Sequence, residues 1–491
     1  MIDRRFGAAL ALAATGWLSL AGPGLAQDMP EGDATTPVQD AGLSAEDMRV
    51  LAQQLLAAGR PSDAGQVLNA LLARDPRDAA ALILGAQAAL NQNQPEAAID
   101  LAVRGFRAAP DDTARYVAAR LAALGHAGLG QDTRAQFWLR RARQTAPDAE
   151  SAESVAQDYA FLRDRNPLAF QLQFGVAPSN NINNGSRSET VTIGPFVTVL
   201  SESAKPLSGL QFNAGATLSY RISETPRSQV LLGFDVSTTT YALTQRSKDA
   251  LQRDIDAALF DADDLPRRGS DFAYTEASVS LTERVILREG WQPTTLTQQV
   301  GRSWYGGDPY QIFVSLSAAQ TFALAPGERL RVDVFARHNY ADQPDRFDAS
   351  GEAIRYDDVT NYGAGLGYSR ALDNGNVASV SLARRISKSD NSSNDFGSWR
   401  IGTGLDLGQP VMNVRFGFGA QFEERKYDRS FFTSGIRRDR TVTGQVSAVF
   451  DGVEYYGFSP VVTLSAGRTF SKAERFDTDF ANLGVDLRSA F

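Results

Sequence analysis

From Leu168 onward the chain alternates apolar and polar side chains at a period of two, in segments separated by turns and polar connections. This pattern constrains the fold most, because period two belongs to strands with two chemically different faces. The clearest run sets Met412, Val414, Phe416, Phe418, Ala420 and Phe422 against Asn413, Arg415, Gly417, Gly419, Gln421 and Glu423. Leu330, Val332 and Val334 oppose Arg331, Asp333 and Arg337 in the same way. The last segment, 479–491, puts Leu483, Val485, Leu487 and Phe491 on one face and Asn482, Gly484, Asp486 and Arg488 on the other. A charged residue at every second position is costly against a dry core. It is tolerated where one face meets water inside a cylinder and the other meets lipid. Alternation alone leaves a soluble sandwich open, since the outer face of a sandwich is polar too.

The connections favour the cylinder. Short turns are expected at 225–227, 290–293, 325–327, 373–376 and 408–410, each rich in Gly, Pro or Asn. Long polar connections are expected at 180–206, 245–270, 342–358, 388–397 and 424–440, the second holding a short amphipathic stretch of Leu251, Ile255 and Leu259. The segments number ~14, an even count of the kind single-chain bacterial barrels have. Alternation of short and long connections places the short turns at one rim and the long loops at the other. Trp291, Trp304, Tyr305, Tyr310, Tyr340, Trp399, Phe431, Phe432, Tyr455 and Tyr456 flank strand ends, as interfacial girdles do. The aromatic end of the last strand, with Leu483, Val485, Leu487 and Phe491 in phase, resembles the insertion signal of such barrels.

Residues 44–166 have a different texture, dense in Ala, Leu, Gln and Arg, which favour helix. Pro76, Pro110 and Pro147 close similar segments 34 and 37 residues apart. Midway through each unit lies a breaker, Gly59-Arg60-Pro61, then Asn93-Gln94-Pro95, then Gly128-Leu129-Gly130, each followed by an alanine, Ala64, Ala97 and Ala135. A helix, turn, helix and proline repeating at about 34 residues is the tetratricopeptide pattern, and about three units suffice for a continuous core. Such stacks present a concave face to peptides or partner helices, although a plain helical bundle capping the barrel fits the same residues.

Residues 1–26 read as a signal peptide, with Arg4 and Arg5 before an apolar run and a small-x-small site ending at Ala26; 27–43 reads as a polar spacer. The domains expected are therefore 1–26, 27–43, the helical repeats 44–166 and the barrel 167–491: an α plus β chain, an α-solenoid followed by a transmembrane antiparallel β-barrel.

The chemistry expected is non-covalent. The 491 residues hold no cysteine, which excludes thiolate catalysis, disulfides and cysteine-bound metals. The net charge of −8, without basic runs, argues against a nucleic-acid partner. The two histidines, His126 and His338, are far apart and read as structural. The glycines of Gly363-Ala364-Gly365-Leu366-Gly367 read as a lumen-facing strand face rather than a phosphate cradle. No catalytic residue, cofactor or metal is expected, and the chain is not expected to be an enzyme.

One local stretch carries a family resemblance. After Asn166-Pro167 the first strand runs into Gly175-Val176-Ala177-Pro178-Ser179-Asn180-Asn181-Ile182-Asn183-Asn184-Gly185. Ser179, Asn180, Ile182 and Asn183, leaving the first strand behind helical repeats, resemble the barrel domain of the surface lipoprotein assembly modifier (Slam) family. The resemblance implies an outer-membrane translocon that carries lipoproteins or soluble secreted proteins from periplasm to cell surface, with the repeats in the periplasm engaging client or chaperone. Partners expected on this reading are outer-membrane lipid, the client, a periplasmic chaperone and the barrel-assembly machinery. Physically, the asparagines suit a turn built from side-chain to backbone hydrogen bonds, with Gly185 taking a positive φ. A barrel-anchored periplasmic scaffold, or a porin or polysaccharide exporter, are the alternative readings of the same parts.

Overall fold

The computed structural model describes residues 43–193, 196–257, 266–343, 346–347, 353–354, 356–389, 395–430, 432, 436–450, 453 and 458–489. The signal peptide, nearly all of the spacer, Leu259, Phe431, Tyr455, Tyr456 and Phe491 lie outside the described residues. The chain divides into two compact units between Asn166 and Pro167.

The helical unit contains α1 (Ala45–Ala57), α2 (Pro61–Arg74), α3 (Ala79–Asn91), α4 (Pro95–Ala108), α5 (Asp112–Gly128), α6 (Asp132–Gln144) and α7 (Ala149–Arg165). The repeat is visible in the backbone. Gly59, Asn93 and Gly130 each take a left-handed conformation, with φ of 70, 58 and 71°, between the helices of a pair. Asp78, Asp111 and Asp148 cap α3, α5 and α7, each accepting from the amide three residues on. Pro61 and Pro95 occupy the first turn of α2 and α4, where the missing amide has no helical partner to lose. The core is small and dry. Ala64, Ala81, Ala86, Ala98, Ala102, Ala118 and Ala122 are fully buried, so helices pack closely and larger Leu68, Leu71, Leu139 and Leu162 fill the gaps. After the second breaker Ala97 is exposed, and the first buried alanine of that helix is Ala98. The helix starts at Pro95, so Ala98 is its fourth residue, matching Ala64 in α2 and Ala135 in α6.

The second unit is a closed barrel of 14 antiparallel strands in which each strand pairs with its neighbours in sequence and the first pairs with the last. The strands are β1 (Leu168–Ser179), β2 (Gly209–Glu224), β3 (Ser228–Leu243), β4 (Tyr274–Val285), β5 (Thr294–Tyr305), β6 (Asp308–Ala325) and β7 (Glu328–Ala341). They continue as β8 (Val359–Ala371), β9 (Val377–Ser389), β10 (Phe396–Asp406), β11 (Val414–Tyr427), β12 (Arg438–Phe450), β13 (Phe458–Ser471) and β14 (Thr478–Ser489). Closure removes the free strand edges that an open sheet would expose to lipid. Among the described residues no helix is long and apolar enough to cross a membrane.

Register aligns the apolar faces into outward belts. Phe170, Leu218, Phe234, Val279, Val300 and Val314 are successive partners across β1 to β6. Leu366, Leu382, Ile401, Phe422 and Val442 continue the same face across β8 to β12. Phe170 is 57 % exposed, Phe234 47 % and Val300 51 %, an apolar exterior that water would not support and lipid does. Trp291, Tyr305, Tyr340 and Trp399 are also exposed near strand ends. Inward, the glycine run on β8 packs under neighbouring side chains. A Cβ on Gly363 would press on the Phe335 ring, and one on Gly365 on the Asp333 carboxylate.

Three expectations need correction. The rim that carries the long loops is not uniform, because β5 and β6 join through Gly306-Gly307 alone, both with positive φ. Met412 is not part of the β11 face. It sits with Asn413 in a two-residue turn at φ of 53 and 62°, bridged by Val411 and Val414. Several strands also run further toward the long loops than their alternation suggests, β9 to Ser389 and β11 to Tyr427. There both faces are polar, as in Glu424-Arg425-Lys426, and the period-two signal fades although the hydrogen-bond ladder continues.

Candidate functional site

The sequence singled out two groups, the Ser179–Asn183 stretch and the terminal strand, and the fold brings them together. Ser179 pairs with Asn482, Val176 with Val485 and Gly175 with Asp486. These are the register pairs that close the barrel, against an unbroken register from Leu168 to Ser179 on the β2 side. Among the described residues, 169–174 have no register pair on β14. The register pairs of the join among the described residues thus fall near the long-loop rim; in the same register 171 and 170 would meet 490 and 491, which lie outside the described residues. The Asp486 carboxylate lies across the join over Gly175, so a Cβ at 175 would push that side chain aside. Leu483, Val485 and Leu487 point outward and are exposed, as the alternation predicts.

Immediately beyond the join, the asparagines tie the first long loop to the last strand. Asn180 Oδ1 accepts from the Ala481 amide at 2.8 Å. Asn181 Nδ2 donates to the carbonyls of Asp479 at 2.8 Å and Gly185 at 3.0 Å, while its Oδ1 accepts from the Gly185 amide at 2.6 Å. Ser186 Oγ donates to the Glu474 carbonyl at 2.6 Å, the Arg187 amide to the Asp477 carbonyl at 2.9 Å, and Arg187 pairs with Asp479 at 3.0 Å. Each net hydrogen bond contributes about 1 kcal/mol, so the set forms a substantial clasp.

Asn183 works in the other direction, closing the loop on itself. Its Nδ2 donates to the Ser203 and Lys205 carbonyls, both at 2.8 Å, and its Oδ1 accepts from the Leu207 amide at 3.0 Å. Ile182 is buried with Leu207, Leu243, Ala250 and Leu251 in a small apolar cluster. The last two belong to α8 (Gln245–Asp256), the amphipathic stretch of the second long loop. Asp254 of α8 accepts from the Glu202 and Ser203 amides at 2.8 and 2.6 Å. Lys205 and Arg253 hold the Glu202 carboxyl below its usual pKa, so the loop is charged and paired at neutral pH. The expected left-handed residue is Asn184, at φ of 51°, and Gly185 does not take a positive φ. Gly185 is needed for a different reason: a Cβ would strike the Lys205 carbonyl.

Sequence reasoning missed Asn181, which spans the join, and the partners Ser186, Arg187 and Glu474. A local run of asparagines announces a turn, but its partners lie almost 300 positions away and only strand register locates them.

The histidines occupy structural settings. His126 is buried and hydrogen-bonds Gln131 at 2.8 Å, and burial holds its pKa below the usual value. His338 contacts Thr360 at 2.8 Å and Tyr340 on the outward side of β7. No group of three or more His, Asp or Glu suited to a metal occurs among the described residues.

Comparisons with known proteins follow the division into two units. A family model described as a tetratricopeptide repeat matches residues 55–124. No curated protein matches the chain's sequence. The helical unit is similar to the TPR2B domain of yeast Sti1 in its pHsp70 complex, at 18 % identity over 25 % of this chain and 98 % of that one, TM-score 0.23. It is also similar to the type III secretion translocator chaperone SycD of Yersinia enterocolitica, at 19 % identity over 25 % and 88 %, TM-score 0.23. The barrel is similar to outer-membrane expressed OmpT of Vibrio cholerae, at 11 % identity over 66 % of this chain and 98 % of that one, TM-score 0.32. None of these likenesses assigns an activity.

Proposed function

We propose that the chain is an outer-membrane translocon of the Slam type, passing lipoproteins or soluble proteins from periplasm to cell surface without covalent chemistry. The observation that carries this reading is the join. One chain combines tetratricopeptide-type repeats with a closed barrel whose first and last strands pair, among the described residues, at Gly175–Ser179 and are clasped there by Asn180 and Asn181. The repeats would sit in the periplasm and engage client or chaperone, the kind of extended or helical ligand that stacked repeats hold. The apolar belts would sit in the outer membrane, and the β1–β14 join would part to let an unfolded client out sideways.

The native chain has no cysteine, so a cysteine pair can be introduced cleanly. Val176 and Val485 face each other across the join. Oxidising a V176C/V485C chain is expected to stop export, and reduction to restore it; undiminished export from the locked barrel would refute the lateral route. Surface proteomics with and without the gene tests the broader reading. If no protein leaves the surface or the medium on deletion, export is not the function.

A further inference from the structure

The inner wall beneath the long loops carries positive charge that its own carboxylates do not balance. Arg337 of β7 pairs with Glu276 of β4 at 2.8 Å, a one-to-one arrangement. Arg400 of β10 and Arg425 of β11 share a single carboxylate, Glu423, at 3.0 and 3.1 Å. Arg385 of β9 has no carboxylate partner among the described residues. Its Nε and Nη2 both donate to the neutral Asn361 Oδ1, at 3.2 and 2.8 Å.

Four guanidiniums therefore face two carboxylates, and Asp439, the register partner of Arg425 on β12, is taken up by Arg437. All four face inward. Arg385, Ser398 and Arg425 form one row across β9 to β11, in phase with the lumen-facing glycines and out of phase with exposed Leu382 and Ile401.

Two of the arginines contact one aromatic ring. Phe396 lies between them, its centroid 5.7 Å from Arg385 and 4.7 Å from Arg425. Contact with the ring restrains both guanidiniums. Arg425 also donates to Glu423 at 3.1 Å and to the Tyr427 hydroxyl at 3.3 Å. The Arg400 and Arg425 side chains remain 44 and 34 % exposed, so they are reachable from the lumen.

Fixed guanidiniums with spare donors and a net positive field are a receptor for carboxylate or phosphate groups. We propose that this band, centred on Arg385, Arg400 and Arg425, is an anion-binding station that takes carboxylate side chains of an extended acidic polypeptide. The identity of the polymer rests on the protein-export reading; the anion site itself rests on geometry alone.

The test uses the purified full chain in detergent and a labelled oligoglutamate of about ten residues, which spans about 30 Å when extended, followed by fluorescence anisotropy. Binding that weakens with salt, and about tenfold with Arg385→Gln, is expected. Arg384→Gln is the control: Arg384 is the next residue on β9 but stacks on outward Trp399 at 5.2 Å, and its loss should change nothing. Arg400→Gln, on a more exposed side chain, serves where Arg385→Gln alters barrel migration on gels. Equal binding by wild type, Arg385→Gln and Arg400→Gln overturns the site. Binding of citrate but not oligoglutamate, or of a polyuronate in its place, overturns the polypeptide assignment. Oligoglutamate binding that requires Arg385, in a strain whose surface proteome is indifferent to the gene, leaves the station standing and removes the export reading.

Discussion

The two units handle charge in opposite ways. In the helical unit Arg120 and Asp158 form a pair at 2.7 Å with both side chains almost fully buried, and Tyr116 accepts a further hydrogen bond from Arg120 at 2.8 Å. Burial pushes the Asp158 carboxyl above its usual pKa against the pull of Arg120, the mark of a charge kept in a dry place at some cost. In the barrel, Arg385 is held by an amide oxygen and surrounded by its own kind. A dry core demands that each charge find its opposite; a wet lumen does not, and so it can keep a surplus for something else.

Three measurements test the contrast between a dry core and a wet lumen. The largest effect is expected from Asp158→Ala, which strands Arg120 in an apolar core and should cost about 3–5 kcal/mol of helical stability in the full chain, read by denaturant unfolding. Arg425→Gln in the barrel should cost far less, and similar losses at both sites would erase the distinction between dry and wet. Next is the lipid face. Phe234→Arg should destabilise the barrel by about 2–4 kcal/mol in lipid refolding, while Ser237→Arg, inward and opposite Glu276, should be tolerated. A tolerated Phe234→Arg would mean that this belt does not meet hydrocarbon.

The smallest effect is pH dependence, and the two units should slope in opposite directions. Glu202 has its pKa lowered below 4.5 by Lys205 and Arg253, so its contribution is present above that value and is lost as pH falls through the folded-state pKa. Asp158 has its pKa raised above 3.8, so its contribution is full below that value and is lost as pH rises through the folded-state pKa. Acidification from neutral pH should therefore speed proteolysis of the first long loop while relieving the Asp158 penalty in the helices. Parallel slopes would contradict the assignment of either group.

Much of the architecture is legible in the sequence because it is periodic. The breakers at Gly59, Asn93 and Gly130 recur at helix-pair spacing, and all three prove left-handed in the backbone. The strand alternation gives faces and count because each side chain's direction depends only on its own position. What escaped is what depends on pairing. Gly306-Gly307 sits between Tyr305 and the Asp308-Pro309 pair, on the rim where the alternation of connections predicts long polar loops. Arg337, Arg385 and Arg425 are scattered over 88 positions and become neighbours only through strand order. Asn181 looks locally like any turn asparagine until β14 is laid beside β1.

The clasp over the β1–β14 join also bears on the mechanics of the wall. β1 and β2 are meshed along the whole of β1, residue by residue. At the join the ladder from Gly175 to Ser179 is doubled by side chains, so parting the two strands there means untying the asparagine knot as well as the backbone.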